Sequence, residues 1–134
     1  MTANILRAGL LALALFLTAS PVGMALALAK DYRFETVGPI VKSGNATVVK
    51  IRLVHIADGK PVTDAVIFQT RLDMGPDGMA SMTAPVKTAT SAEPGIYAFE
   101  IEPSMAGNWG LTLAAKVQGE AETVRGTVTV AVSK

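Results

Sequence analysis

The sequence predicts an all-β domain, on three observations. Beyond residue 30, short runs rich in β-branched and aromatic residues alternate apolar with polar side chains. Turn signals built from Gly, Pro, Asn, Asp and Ser separate those runs every 8 to 15 residues. No apolar pattern of helical period and no tandem repeat is present.

The elements follow in order. Tyr32 to Val41 reads as a first strand that Pro39 marks as an edge or a bend, and Ser43-Gly44-Asn45 as the turn after it. In the second run, Thr47 to Ile56, Val49, Ile51, Leu53 and His55 share one face while Lys50 and Arg52 point the other way. The turn Ala57 to Pro61 leads to a third strand, Thr63 to Leu72, in which Val66, Phe68, Thr70 and Leu72 alternate with Ile67, Gln69 and Arg71. A methionine-bearing loop, Leu72 to Thr83, comes next, then a weak fourth strand, Ala84 to Thr90. The fifth, Ile96 to Glu102, sets Tyr97, Phe99 and Ile101 opposite Ala98, Glu100 and Glu102. Pro103 to Gly107 turns a corner into Asn108 to Val117, whose Trp109, Leu111, Leu113, Ala115 and Val117 share a face. A last strand runs from Glu122 to Val132. Seven such strands fit an immunoglobulin-like, two-sheet antiparallel β-sandwich. The paired cysteines of antibody domains are absent, because the chain has no cysteine.

Residues 1–29 read as a secretory signal peptide. Arg7 is their only charge, an apolar run from Ala8 to Leu17 follows, Ser20-Pro21 breaks it, and Ala27-Leu28-Ala29 supplies an A-x-A site. Cleavage is expected after Ala29, leaving a single domain, 30–134, in the periplasm or otherwise exported. The alternative is an uncleaved anchor, for which the unbroken run is shorter than the roughly 18 to 20 residues of a spanning helix. Without Arg7 the chain carries 11 basic and 11 acidic side chains and no long run of either sign, so nothing in it attracts nucleic acid or an anionic bilayer.

Catalysis finds little support. His55 is the only histidine and lies mid-strand, Ser81 and Ser104 have no evident base, and no serine occupies a G-x-S-x-G elbow. Glu100 and Glu102 share a strand face, which we read as a solvated face and not as a carboxylate pair. The glycines are scattered turn residues without a phosphate-binding loop. No enzyme is expected.

The methionines are the unusual feature. Of six, Met74, Met79 and Met82 fall within nine residues, interleaved with Gly75, Pro76, Asp77 and Gly78, which favour a surface turn. Their thioethers are therefore expected outside the core. A thioether is a neutral, soft donor that suits Cu(I), and by extension Ag(I), better than Zn, Mg or Ca. A loop bent at Gly75-Pro76 and Gly78 can bring three such groups together. With strands running alternately up and down, the corner holding Met105 lies at the same end, so Met105 can join as a fourth ligand. The packing alternative ends the third strand at Met74 and rests Met82 and Met105 on Trp109, where a sulfur–aromatic contact is worth about 0.3 to 1.5 kcal/mol. His55 is expected to be a half-buried strand residue, with an auxiliary ligand role the lesser reading. Asp73 and Asp77 read as turn formers that bond their own backbone, since a hard-metal loop needs many more oxygens.

Gly95-Ile96-Tyr97, then Met105-Ala106-Gly107-Asn108-Trp109 and an alternating strand, with a methionine-bearing loop just upstream, resembles the YtkA-like and FixH-like domains over roughly Val49 to Val132. The resemblance implies a β-sandwich whose glycine makes a turn and whose tryptophan packs between sheets. It also implies association with heavy-metal efflux systems or with copper supply to terminal oxidases. That family commonly pairs its loop methionines with histidine. Here the loop has none, which favours a thioether-only site. FixH proteins keep a membrane anchor, whereas Ala27-Leu28-Ala29 argues for release, so the soluble YtkA-like kind is the better match.

Together these readings give an exported, non-enzymatic Cu(I) or Ag(I) binder using Met74, Met79, Met82 and Met105, which passes its ion to an efflux or oxidase-assembly partner. The runner-up is a metal-free adaptor that docks through a methionine-rich loop. A third reading makes the methionines oxidant targets.

Overall fold

The computed structural model describes residues 31–38 and 40–134. Nine strands are present among them: β1 (Tyr32–Val37), β2 (Val41–Lys42), β3 (Thr47–His55), β4 (Val66–Met74), β5 (Met79–Ala84), β6 (Val86–Ala89), β7 (Ile96–Ile101), β8 (Gly107–Lys116) and β9 (Val124–Ser133). They form two facing sheets, β1-β3-β7-β6 and β2-β9-β8-β4-β5. This is the immunoglobulin-like sandwich expected, with its strands distributed in the A-B-E-D pattern on one side. All pairings are antiparallel except β2 with β9. The segment expected to be a signal peptide, with its expected cleavage site after Ala29, lies outside the described residues.

Period-two patterning builds the core. In β9, Val124, Val128, Val130 and Val132 are buried while Arg125, Thr127, Thr129 and Ala131 are exposed. The face expected for the sixth strand is wholly inside, with Trp109, Leu111, Leu113 and Ala115 at 0% exposure. From the opposite sheet Ile51, Leu53, Phe99 and Ile101 meet them, so the interior is a continuous apolar layer between the sheets. Full burial of such side chains is the main stabilising term, at roughly 1.5 to 3 kcal/mol each.

Four expectations are corrected. The first strand is two: β1 joins one sheet and β2 the other, and the break brackets Pro39, which lies outside the described residues. In β4 a bulge between Ile67 and Gln69 reverses the alternation. Ile67 therefore packs on the core, Phe68 is 53% exposed, and the inward set beyond the bulge is Leu72 and Met74. The methionine segment is not a loop throughout, because a short 3-10 turn, Gly75–Asp77, leads directly into the edge strand β5. Ala84 belongs to β5, so the expected fourth strand shrinks to β6, and the chain crosses between the sheets around Pro85.

Candidate functional site

β4, the 3-10 turn and β5 make a hairpin that pairs Leu72 with Ala84, Asp73 with Thr83 and Met74 with Met79. Three more residues separate Met79 from Thr83 than this ladder can pair, so Ala80, Ser81 and Met82 bulge outward at the sheet edge. Arg71 fixes the bulge from the neighbouring strand. Its Nε donates to Asp73 Oδ2 at 2.8 Å and a terminal nitrogen donates to the Ala80 carbonyl at 3.0 Å. Asp73 also accepts the Gly75 N–H at 2.8 Å, the local turn bond expected of it. The Arg71 hydrogen bond, followed by that of Gly75, holds the Asp73 carboxyl below the usual carboxylate range.

Asp77 behaves otherwise. It reaches across to the β7–β8 corner, accepting the Asn108 backbone N–H at 2.7 Å on Oδ2 and the Asn108 side-chain amide at 3.0 Å on Oδ1. These two bonds, the backbone one foremost, hold its carboxyl below the ordinary aspartate range. It is therefore a clamp between two segments 31 residues apart in sequence, not a local turn former. Gly107 makes the approach possible. It adopts φ +142°, and a Cβ there would lie 2.6 Å from Met74 Cε and 2.7 Å from Asp77 Oδ2. Further along β8, Pro76 lies over Gly110, where a Cβ would come within 3.2 Å of its ring.

The hairpin and the corner thus meet at one end of the sandwich, but the four methionines do not share one environment. Met74 is 1% exposed and part of the core cluster, so the expectation of a surface thioether at this position is overturned. The reason is parity: beyond the bulge at Phe68, Leu72 and Met74 alternate inward and β4 runs two residues further than its apolar pattern indicated. Met79, Met82 and Met105 are 37%, 36% and 40% exposed. Met105 caps the corner, where its carbonyl accepts the indole N–H of the buried Trp109 at 3.1 Å.

His55 is half-buried at the end of β3, with Nδ1 3.1 Å from Asp58 Oδ1 and its ring 5.2 Å from that of Tyr32. It cannot assist the methionines. Register pairs Thr47 with Ile101 and Arg52 with Ile96, so His55 lies beyond the start of β7 while Met105 follows its end. A nine-residue strand separates the two poles by on the order of 25 Å. Glu100 faces Lys87 across β6 and β7 at 4.0 Å, as a solvated strand face would. Among the described residues no three His, Cys, Asp or Glu side chains gather as a metal site. A concavity of about 580 Å³ lies elsewhere, between the start of β4 and the β6–β7 segment, bordered by Val66, Thr88, Glu93 and Tyr97.

The sequence of the chain matches the YtkA-like family over residues 27–114, which spans both the hairpin and the corner. This chain belongs to the YtkA-like family. No curated protein matches it. Solved structures with similar folds include the Lin-41 filamin domain, at 27% identity and a TM-score of 0.44, covering 78% of this chain and 94% of that one. The ZirS C-terminal domain is 9% identical with a TM-score of 0.45, covering 100% of this chain and 88% of that one. Domains 4 and 5 of the S-layer protein SbsC are 16% identical with a TM-score of 0.38, covering 77% of this chain and 51% of that one.

Sequence reasoning missed the Asp77–Asn108 clamp and the Arg71 brace. Gly107-Asn108 directly after the Met105 turn was the available signal, since a glycine before a strand often marks a close backbone approach.

Proposed function

We propose that this YtkA-like domain is an exported, non-enzymatic carrier of a soft monovalent ion, Cu(I) or Ag(I), which it passes to a heavy-metal efflux component or a copper-site assembly factor. The ligands are Met79, Met82 and Met105. One observation carries this reading: the Asp77–Asn108 bonds hold the segment bearing Met79 and Met82 against the corner bearing Met105, and all three methionines reach solvent. Met74 is assigned to packing beneath them. Three neutral sulfurs match a three-coordinate Cu(I) site, and the absence of cysteine and of a nearby imidazole disfavours zinc. Thioether ligands bind less tightly than thiolates, which suits an ion that must be handed on. X-ray absorption at the copper edge of the Cu(I)-loaded domain tests the donor set. A shell of sulfur scatterers alone is expected, and a shell dominated by nitrogen or oxygen contradicts the assignment.

A second reading has one observation in its favour. β5 is the free edge of its sheet, and its six residues, Met79–Ala84, carry no charge. Such an edge suits strand addition by a partner without any metal. Partner capture that is unchanged by removing Cu(I) and by chelators would favour it.

A further inference from the structure

We infer that Asp77 is the positioning residue of the methionine site: its carboxylate sets the separation between the hairpin that carries Met79 and Met82 and the corner that carries Met105. The inference rests on the soft-metal reading and adds to it the element that orders the ligands.

The geometry argues for Asp77 over its neighbours. Met79 lies two residues after Asp77, and Met105 three residues before Asn108. The two Asp77–Asn108 bonds are therefore the polar link nearest in sequence to the methionines on both sides. Both carboxylate oxygens are used, one on a backbone donor and one on a side-chain donor, which fixes the orientation of the carboxylate as well as its distance. On the hairpin side the position of Asp77 is itself defined, because the Gly78 N–H bonds the Gly75 carbonyl at 2.9 Å and Arg71 ties both strands together. On the corner side, the indole of Trp109 holds the Met105 carbonyl. Each half is braced on its own, the β4–β8 ladder joins them as far as Asp73 with Gly110, and Asp77 joins them again beyond the last ladder pair, where the methionines lie. A ligand set drawn from two segments binds well only if their relative placement is settled before the ion arrives.

A purely structural aspartate would weaken binding by loosening the whole end, whatever Met105 does. A positioning residue acts through Met105, so its effect must vanish when Met105 is no longer a ligand. The test is a double-mutant cycle on residues 30–134 with Asp77→Ala, Met105→Leu and the double variant, titrated anaerobically with Cu(I) against a competing chelator. Asp77→Ala alone is expected to weaken binding about ten-fold, and by less than about two-fold in the Met105→Leu background. Equal losses in both backgrounds overturn the positioning role.

A metal-free readout separates this inference from the soft-metal reading. With methyl-labelled methionine, Met105 in the parent protein should show proximity to the Met79 or Met82 methyl by nuclear Overhauser effect, and Asp77→Ala should abolish it. Loss of that proximity in a protein that binds no Cu(I) would support the clamp while ending the soft-metal reading. Persistence of the proximity in the variant would end the clamp whatever the metal does. Thermal melts of each variant establish that the comparison is made on folded protein.

Discussion

Replacing Gly107 by alanine tests the packing of the methionine end most sharply. Two costs add. At φ +142° an alanine occupies backbone space that side chains rarely adopt, at roughly 1 to 3 kcal/mol. Its methyl would also meet Met74 Cε at 2.6 Å and Asp77 Oδ2 at 2.7 Å. The Met74 methyl is the far end of a flexible side chain and can yield, whereas the carboxylate oxygen cannot retreat without stretching its 2.7 Å bond to Asn108. Overpacking of this kind costs about 1 to 3 kcal/mol. The sum is about 2 to 6 kcal/mol, or at least about 8 °C in Tm for a domain of this size. Gly119 supplies the control: its φ is +86° and a methyl there would meet no atom within 4 Å, so Gly119→Ala should lose only about 1 to 2 kcal/mol of backbone strain. Urea denaturation of both variants, compared at equal m-value, measures the difference. Equal losses in the two variants would refute the contact of Met74 and Asp77 with the corner.

Other expectations separate the methionines and the titrating groups. Met74→Ala should cost about 2 to 5 kcal/mol by denaturation, while Met79→Ala, Met82→Ala and Met105→Ala should each stay within about 0.5 kcal/mol, and a mild change at Met74 would contradict its burial. Burial, with the hydrogen bond that Tyr32 donates to Glu120, pushes the Tyr32 phenol up to about 12. Because the folded value is raised, its stabilising contribution is complete below an unfolded value of about 10 and is lost as pH rises through about 12. An ultraviolet titration should show the highest tyrosinate step disappear in Tyr32→Phe, and a step near the ordinary tyrosine value for Tyr32 would contradict the arrangement. His55→Ala should change Cu(I) affinity by less than about two-fold, since the imidazole stands at the opposite pole; a larger loss measured in the same competition assay would place it at the site.

How far the sequence could be read depended on the range of the interactions involved. Strict alternation placed Trp109, Leu111, Leu113 and Ala115 inside, because one face of β8 is buried along its length and nothing interrupts the period. Alternation failed at Val66 and Phe68, which a single bulged residue leaves exposed, whereas Leu72 kept its expected face and the strand ran on past it to carry Met74 into the core. A bulge is set by the partner strand and leaves little trace in the strand's own composition. The turn at Gly75-Pro76-Asp77-Gly78 was legible from residue chemistry, and so was the bond of Asp73 to its own turn. The partner of Asp77 was not, since Asn108 comes close only after β8 has paired with β4. Following strands up and down put the Met105 corner at the hairpin's end, where the Asp77–Asn108 bonds join the two segments. Exposure then divided methionines that spacing alone had grouped.

The most direct measurement is an anaerobic Cu(I) titration, against a competing chelator, of residues 30–134 beside a Met79, Met82, Met105 to leucine triple variant that retains Met74. A thioether site at this end requires one Cu(I) bound by the parent domain and none by the folded triple variant. Equal binding by the two proteins, or no binding by the parent, would contradict it.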